Sequence, residues 1–343
     1  MKILNLNESR FEDSELWRAH STAITSIDPT WHQRSLKTKI TKLLRISKGF
    51  DVVIFHLDMR LAAIYGLIQG ILPSKQYLIF QGLFCDISRY SSAFTSLTAY
   101  LRKSLSLLLH RVLVHTMNAV VVHTRAEVAL YSKFFNVRES RFVFVPYFHY
   151  GGGNDDGAGT SIVTAPEEHT SILAIGRHRD FACFIRAMTG SAWQGVIVAG
   201  DSDRDELTVS VPPNVTIRYE VSRTEYRDYI AKSTIVVIPL YANRWQRALG
   251  QIAMFEAMLR HKPIVAAETF QLADYASNNE VLYYRPGDAE HLREQLGRLL
   301  KDADLRCRLT DNAHARLLRE FTRERYIAQL IGICQTRNCL TNP

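Results

Sequence analysis

The sequence predicts an α/β protein built from two doubly wound domains, and three observations carry that prediction. The chain has 343 residues, more than twice the length of a typical single domain. Continuous apolar runs of strand length alternate with helix-like segments, once before residue 149 and again after residue 168. Between the two series stands HYGGGNDDGAGTSIVTAPEE (149–168), rich in glycine, poor in large apolar groups and without a period, which reads as a linker.

In the first series MKILNLN reads as a strand and AITSID as a weaker one. QRSLKTKITKLLRISK (33–48) follows as a helix with Leu36, Ile40, Leu43 and Leu44 on one stripe. DVVIFHL (51–57) and YLIFQG (77–82) are fully apolar strands, 93–117 is helical, and NAVVVHT (118–124) is a strand. A helix from about Glu127 and the strand RFVFVPY (141–147) close the series. The second series is clearer. Strands SILAIGR, GVIVAGD, VTIRYEV, TIVVIPL, PIVAAE and VLYYR are separated by helices near 181–189, 224–232, 251–260, 270–276, 288–302 and 304–320. The expected organisation is a domain over 1–148, a linker over 149–168, a domain over 169–320, and a closing helix and tail over 321–343. Open α/β sheets bind ligands at the carboxyl ends of their strands, so two Rossmann-like domains are expected to face a cleft.

Composition narrows the classes. Hydrophobic residues are 47% and charged residues 22%, which excludes a mainly disordered chain. The greasiest segment, 104–122, carries His110, Arg111, His115 and Asn118, so no membrane-spanning helix is expected. MKILNL opens as a strand rather than as a secretory leader. The five cysteines form no CxxC pair and read as reduced cytosolic thiols. Net charge is +8 and unevenly placed: residues 1–150 hold 19 Lys and Arg against 10 acids. Segment 29–50 has Arg34, Lys37, Lys39, Lys42, Arg45 and Lys48 with no acid, and 87–126 has Arg89, Arg102, Lys103, Arg111 and Arg125 with none. A one-signed half suits an anionic partner, or it is a solvated basic face. These segments lack interleaved stacking aromatics, so nucleic acid is not expected.

Three segments are candidates for chemistry. In RALGQIAMFEAMLRHKPIVAAE (247–268), Gly250 permits close backbone approach at a helix entry. The free N–H groups of Gln251 and Ile252 there suit an anion such as a diphosphate. Ile252, Phe255 and Leu259 fall at core spacing. Glu256, one to two turns in, is either directed at a ligand's hydroxyls or is an exposed or ion-paired helix acid. In Gly176-Arg177-His178-Arg179-Asp180, a glycine at a strand's carboxyl end precedes an arginine suited to phosphate, the alternative being an arginine paired with Asp180. The third, Asp201-Ser202-Asp203-Arg204-Asp205, contains DxD. Glu206 and Pro212 stand where a calcium loop needs glycine and glutamate, so a solvated loop is expected. No metal site is expected.

The second half resembles the donor domain of the GT-B glycosyltransferases, specifically the retaining family-4 group. The resemblance rests on SILAIGR, VIVAGD, VSRTEYRDYIAKSTIVVIPL, GQIAMFEAMLRHKPIVAAE and EVLYYRPGDAEHLREQLGRLLKDADLRCRL, in order across about 170–320. The first half is similar more loosely, through DVVIFH, NAVVVHTRAEV and RFVFVPY. The resemblance implies a GT-B fold, and a nucleotide diphosphate sugar as donor substrate held by the second domain, with no cofactor and no metal. It implies that Glu256 contacts the donor ribose, that Gln251 and Ile252 lie near the diphosphate beside Gly176 and Gly250, and that Arg177 supports the departing nucleotide. On the acceptor side it places His56 and Gln81. Three positions depart from the pattern: Ala248 replaces the first glutamate of the paired-glutamate motif, Arg179 is the candidate substitute for a missing lysine, and Gln81 stands where relatives carry a histidine.

The function expected is transfer of a sugar, with retention, to a glycan or lipid-linked acceptor, in bacterial surface polysaccharide or lipopolysaccharide synthesis. A cytoplasmic enzyme, peripheral at an anionic membrane surface, fits the basic first half. The alternatives are a sugar-nucleotide epimerase using the same cleft and a catalytically silent nucleotide-sugar-binding scaffold.

Overall fold

The computed structural model describes residues 1–6, 11, 14–72, 76–83, 85–87, 90, 96–149, 171–242 and 247–336. It divides into two compact units, Met1–Tyr147 with Arg323–Pro343, and Phe148–Thr322. The linker expected at 149–168 lies, apart from His149, outside the described residues, as does the tail beyond 336.

The first unit is a six-stranded parallel sheet in the order β2-β1-β3-β4-β5-β6. The strands are β1 (Ile3–Asn5), β2 (Ser21–Ala23), β3 (Val52–His56), β4 (Tyr77–Gln81), β5 (Ala119–Val122) and β6 (Phe142–Phe144). Their apolar runs are continuous because helices cover both faces: Val52, Val53, Ile54 and Phe55 are all buried. The helices start where a side chain takes up a first-turn N–H. Ser35 caps Leu36–Ile46, Asp58 caps Met59–Ile71 and Ser96 caps Leu97–Thr116. Thr124 and Glu127 form a capping box on Arg125–Phe135, and the fully buried Glu127 also accepts from the Tyr131 hydroxyl.

The structure departs from the sequence reading at three places here. AITSID is only the end of a strand: β2 stops at Ala23, and Ile24–Ile27 is a helical turn that buries Ile24. The helix Met59–Ile71 is not singled out by periodicity, because it is apolar nearly all round and buries Leu61, Ala62, Ala63, Tyr65 and Gly66. In the basic helix Leu36–Ile46 much of the charge is already matched. Arg34 and Lys42 both bind Asp28, and Lys39 reaches Asp58. These arginine and lysine contacts hold the Asp28 carboxyl well below the usual carboxylate range.

The closing helix Arg323–Gln335 packs in the first unit, on Glu15–His20. Its Tyr326 hydroxyl accepts from Gln81 Nε2 at 2.9 Å, and its ring lies near Phe11 and His123.

The second unit repeats the plan in the order β12-β11-β10-β7-β8-β9, again all parallel. Its strands are β7 (Ser171–Ile175), β8 (Gln194–Ala199), β9 (Val215–Tyr219), β10 (Ile235–Ile238), β11 (Ile264–Ala267) and β12 (Leu282–Tyr284). Strand β7 pairs with β8 on one side and β10 on the other, so the winding reverses between β7 and β10. No helix among the described residues is long and apolar enough to cross a membrane.

Two stability effects follow from the first unit. A Cβ on Gly66 would overlap the Thr116 side chain, so Gly66 sets the approach of Met59–Ile71 to Leu97–Thr116. Gly66→Val is expected to cost about 1–3 kcal/mol, read as a lowered urea midpoint at unchanged slope. His123 is buried, its Nδ1 lies 3.0 Å from Val145 O, and burial holds its imidazole down to about 4. Between pH 6.5 and 4 the unfolded chain takes up a proton that the folded one refuses, so stability falls as pH drops through that window, by on the order of 3 kcal/mol. His123→Phe should flatten this acid limb in a series of denaturation curves.

Candidate functional site

The candidate residues of the second unit gather at the winding reversal, on the loops that leave β7 and β10. Gly176 follows β7 with φ of 128°, a conformation that favours glycine, and a Cβ there would sit 2.6 Å from Arg179 Nε. The Arg179 guanidinium therefore lies directly against the Gly176 backbone. Its Nη1 donates to Arg177 O at 2.8 Å, while its Nε has no hydrogen-bond partner among the described residues. Arg179 is buried and has no carboxylate at ion-pair distance among them, and burial pulls its guanidinium down to about 10, leaving it charged at neutral pH. A buried cation with no carboxylate beside it among the described residues is expensive to desolvate.

The loop is held by carboxylates that point into backbone rather than at the arginine. His178, at φ of 59°, donates its N–H to Asp203 Oδ1 at 2.7 Å, and Gly200 N–H donates to Asp203 Oδ2 at 3.0 Å. Asp203 is thus buried and structural, which corrects the expectation of a solvated loop; Asp201 is exposed and paired with Arg204. Asp180 caps the helix Phe181–Met188 through Cys183 N–H and gives its own N–H to Pro239 O at 2.8 Å. Arg177 does not pair with Asp180. It runs along Gly200 to Glu220, with Nη2–Oε2 at 2.7 Å, in a pair more than a third exposed on both sides.

Across the reversal stands the entry of the helix Gln251–Leu259. Gly250 has φ of 97°, and a Cβ there would meet Leu272 at 3.0 Å and Ile238 at 3.3 Å, so its backbone packs against the end of β10. The β7 loop and this helix entry therefore flank the same residues, 238–240. Gly250 supplies no capping side chain, and the amides of Gln251, Ile252 and Ala253 have no intrahelical acceptor. The Gln251 side chain turns inward instead, donating to Gln271 O at 2.6 Å. Ile252 departs from the core spacing: it is 53% exposed, while Phe255 is buried.

Glu256 is buried and ion-paired. Arg227 Nε lies 3.4 Å from Oε1, Arg260 Nη1 binds Oε2, and His149 Nε2 lies 3.9 Å from Oε1. Both arginines take one lone pair each, leaving acceptor capacity on the carboxylate. Tyr226 links the two halves electrostatically. Burial pushes its phenol up, and it feels both Arg179 and Glu256. Position 248 is a buried alanine and supplies no carboxylate.

Sequence reasoning missed Tyr226, Arg227, His149, Asp203 and Glu220. Only Arg260, four residues after Glu256, carried a readable signal. In the first unit His56 and Gln81 are register partners at the ends of β3 and β4. Gln81 is buried against Tyr326, not open to solvent.

Gly250→Ala is expected to strain φ and press on Leu272 and Ile238, lowering the melting temperature of the second unit by several degrees in a thermal scan.

Comparison with known proteins places this geometry. Residues 169–302 match the family described as Glycosyl transferases group 1. No curated protein matches the sequence. Among solved structures, HepE of Anabaena in complex with UDP is 14% identical, with a TM-score of 0.69 over 98% of this chain and 100% of that one. Sucrose-phosphate synthase of Thermosynechococcus elongatus is 14% identical, with a TM-score of 0.65 over 89% of this chain and 79% of that one. A glycosyltransferase of Rickettsia africae is 11% identical, with a TM-score of 0.63 over 100% and 99%. The chain has the GT-B fold of the glycosyltransferases, and its second unit is similar to the Glycosyl transferases group 1 family.

Proposed function

We propose that the protein transfers a sugar from a nucleotide diphosphate sugar to a hydroxyl of a glycan or lipid-linked acceptor. The observation that carries this reading is the buried, uncompensated guanidinium of Arg179 beside a glycine-opened helix entry at the winding reversal. Leaving-group chemistry here concentrates negative charge on a diphosphate. Arg179 and the first-turn amides of Gln251 and Ile252 supply fixed positive potential to meet it. Arg177 joins them by exchanging Glu220 for phosphate. That exchange is cheap, because an exposed ion pair is worth about 0–1 kcal/mol. Glu256, clamped by Arg227 and Arg260, keeps lone pairs for the ribose hydroxyls. HepE was solved with UDP and with UDP-glucose, which supports UDP as the nucleotide to try first.

Retention of anomeric configuration rests on the sequence resemblance. So does a role in bacterial surface polysaccharide or lipopolysaccharide synthesis, by a cytoplasmic enzyme meeting its acceptor at the inner face of an anionic membrane. No divalent cation is assigned a role in this mechanism, since the two arginines and the helix entry already face the leaving charge. Turnover is therefore expected to persist in excess chelator.

The defining experiment is a panel of nucleotide sugars incubated with protein and membrane extract, reading released nucleotide and labelled acceptor. Transfer that depends on acceptor supports the reading; donor isomerisation without acceptor indicates an epimerase, and binding without turnover a scaffold. Among variants, Arg179→Met is expected to weaken UDP binding roughly 10- to 100-fold in calorimetry while leaving the apo protein as stable or more so, since it removes an uncompensated buried charge. Arg177→Ala and Glu256→Ala should each lower turnover by about 2–3 kcal/mol of barrier, read in kcat/KM. Wild-type kcat/KM in folded Arg177→Ala would remove that residue from the mechanism.

A further inference from the structure

The helix Leu97–Thr116 presents an apolar stripe on its solvent side. Leu97, Leu101, Leu105 and Leu108 are 57–74% exposed. Their spacing places them within about 80° of one another around the helix and along about 16 Å of its axis. The opposite side is already occupied by the core, where His110, Leu113 and Val114 are buried. Single exposed leucines are ordinary, but four in one row form a patch.

Charge borders the row. Arg102 lies on one flank and Arg111 on the other. Both are exposed, and neither has a carboxylate partner among the described residues. No acidic residue occurs anywhere in 87–126. The other basic helix, Leu36–Ile46, is a poorer surface, because Asp28 and Asp58 already take up Arg34, Lys42 and Lys39.

We propose that this face docks on an anionic lipid bilayer. The four leucines enter the boundary between headgroups and acyl chains, and Arg102 and Arg111 meet lipid phosphates. An anionic bilayer matches both features at once. A second copy of the chain does not: a two-fold pairing would set arginines against arginines, and four leucines fall well short of the roughly 800 Å² per partner of a stable dimer. The proposal deepens the reading of a membrane-presented acceptor by naming the surface that meets the membrane.

The test is sedimentation of the full chain with phosphatidylcholine vesicles, with and without phosphatidylglycerol. The variants are Leu101→Ser with Leu105→Ser, and Arg102→Glu with Arg111→Glu, each checked for native circular dichroism. Binding to the anionic vesicles is expected, at least tenfold weaker in either double variant and weakened in 1 M salt, where the Debye length is about 3 Å. Absence of binding at low salt, or equal binding by wild type and both variants, overturns the proposal. So does a wild-type dimer that the leucine variant converts to monomer. UDP binding measured without vesicles should be unchanged in both variants. A protein that docks as described yet fails to bind UDP keeps this surface and loses the donor reading instead.

Discussion

A guanidinium buried at the carboxyl end of a parallel sheet must lie against something that has no side chain, and must keep its charge without a carboxylate. The second unit is arranged around that constraint at Arg179. Gly176 removes the Cβ that would occupy the same space, and the left-handed backbone of His178 turns the loop back over the strand. Asp203 and Asp180, the acids of the neighbouring loops, both spend their oxygens on backbone N–H groups, one securing the loop and the other starting a helix. The acids are occupied in holding the loop, and the positive potential survives for that reason.

The opposite treatment of Glu256 completes the logic. Its carboxylate is buried among Arg227, Arg260 and His149, so this acid carries more cation than it needs. A site that holds a single charge of each kind would neutralise itself. Tyr226 feels both charges, and its burial keeps its hydroxyl protonated, able to donate or accept without adding charge.

Legibility in the sequence followed the range of the interaction. The strands of the second unit were readable because a parallel strand covered on both faces is apolar throughout, and SILAI and TIVVI satisfy that locally. Gly250 and Gly176 were readable because a glycine at an element boundary marks an unusual backbone. The helix Met59–Ile71 was not, since uniform apolarity erases the period that marks a helix. Asp203 looked solvated because its neighbours Asp201, Arg204 and Asp205 are charged. Its burial depends on His178, 25 residues away. Which of Arg177 and Arg179 is buried was equally hidden. The two are separated by one residue, and Arg177 is drawn out by Gly200 and Glu220, just past the ends of neighbouring strands, rather than by anything adjacent in the chain.

The return of residues 323–335 to the first unit makes that unit discontinuous in the chain. During synthesis the strands β1 to β6 emerge long before the helix that carries Tyr326. Gln81, Phe11 and His123 therefore wait for a partner that is synthesised after the whole second unit. The second unit, contiguous from Phe148 to Thr322, can condense in the interval. The half that begins the chain is thus completed only after the other half has been synthesised.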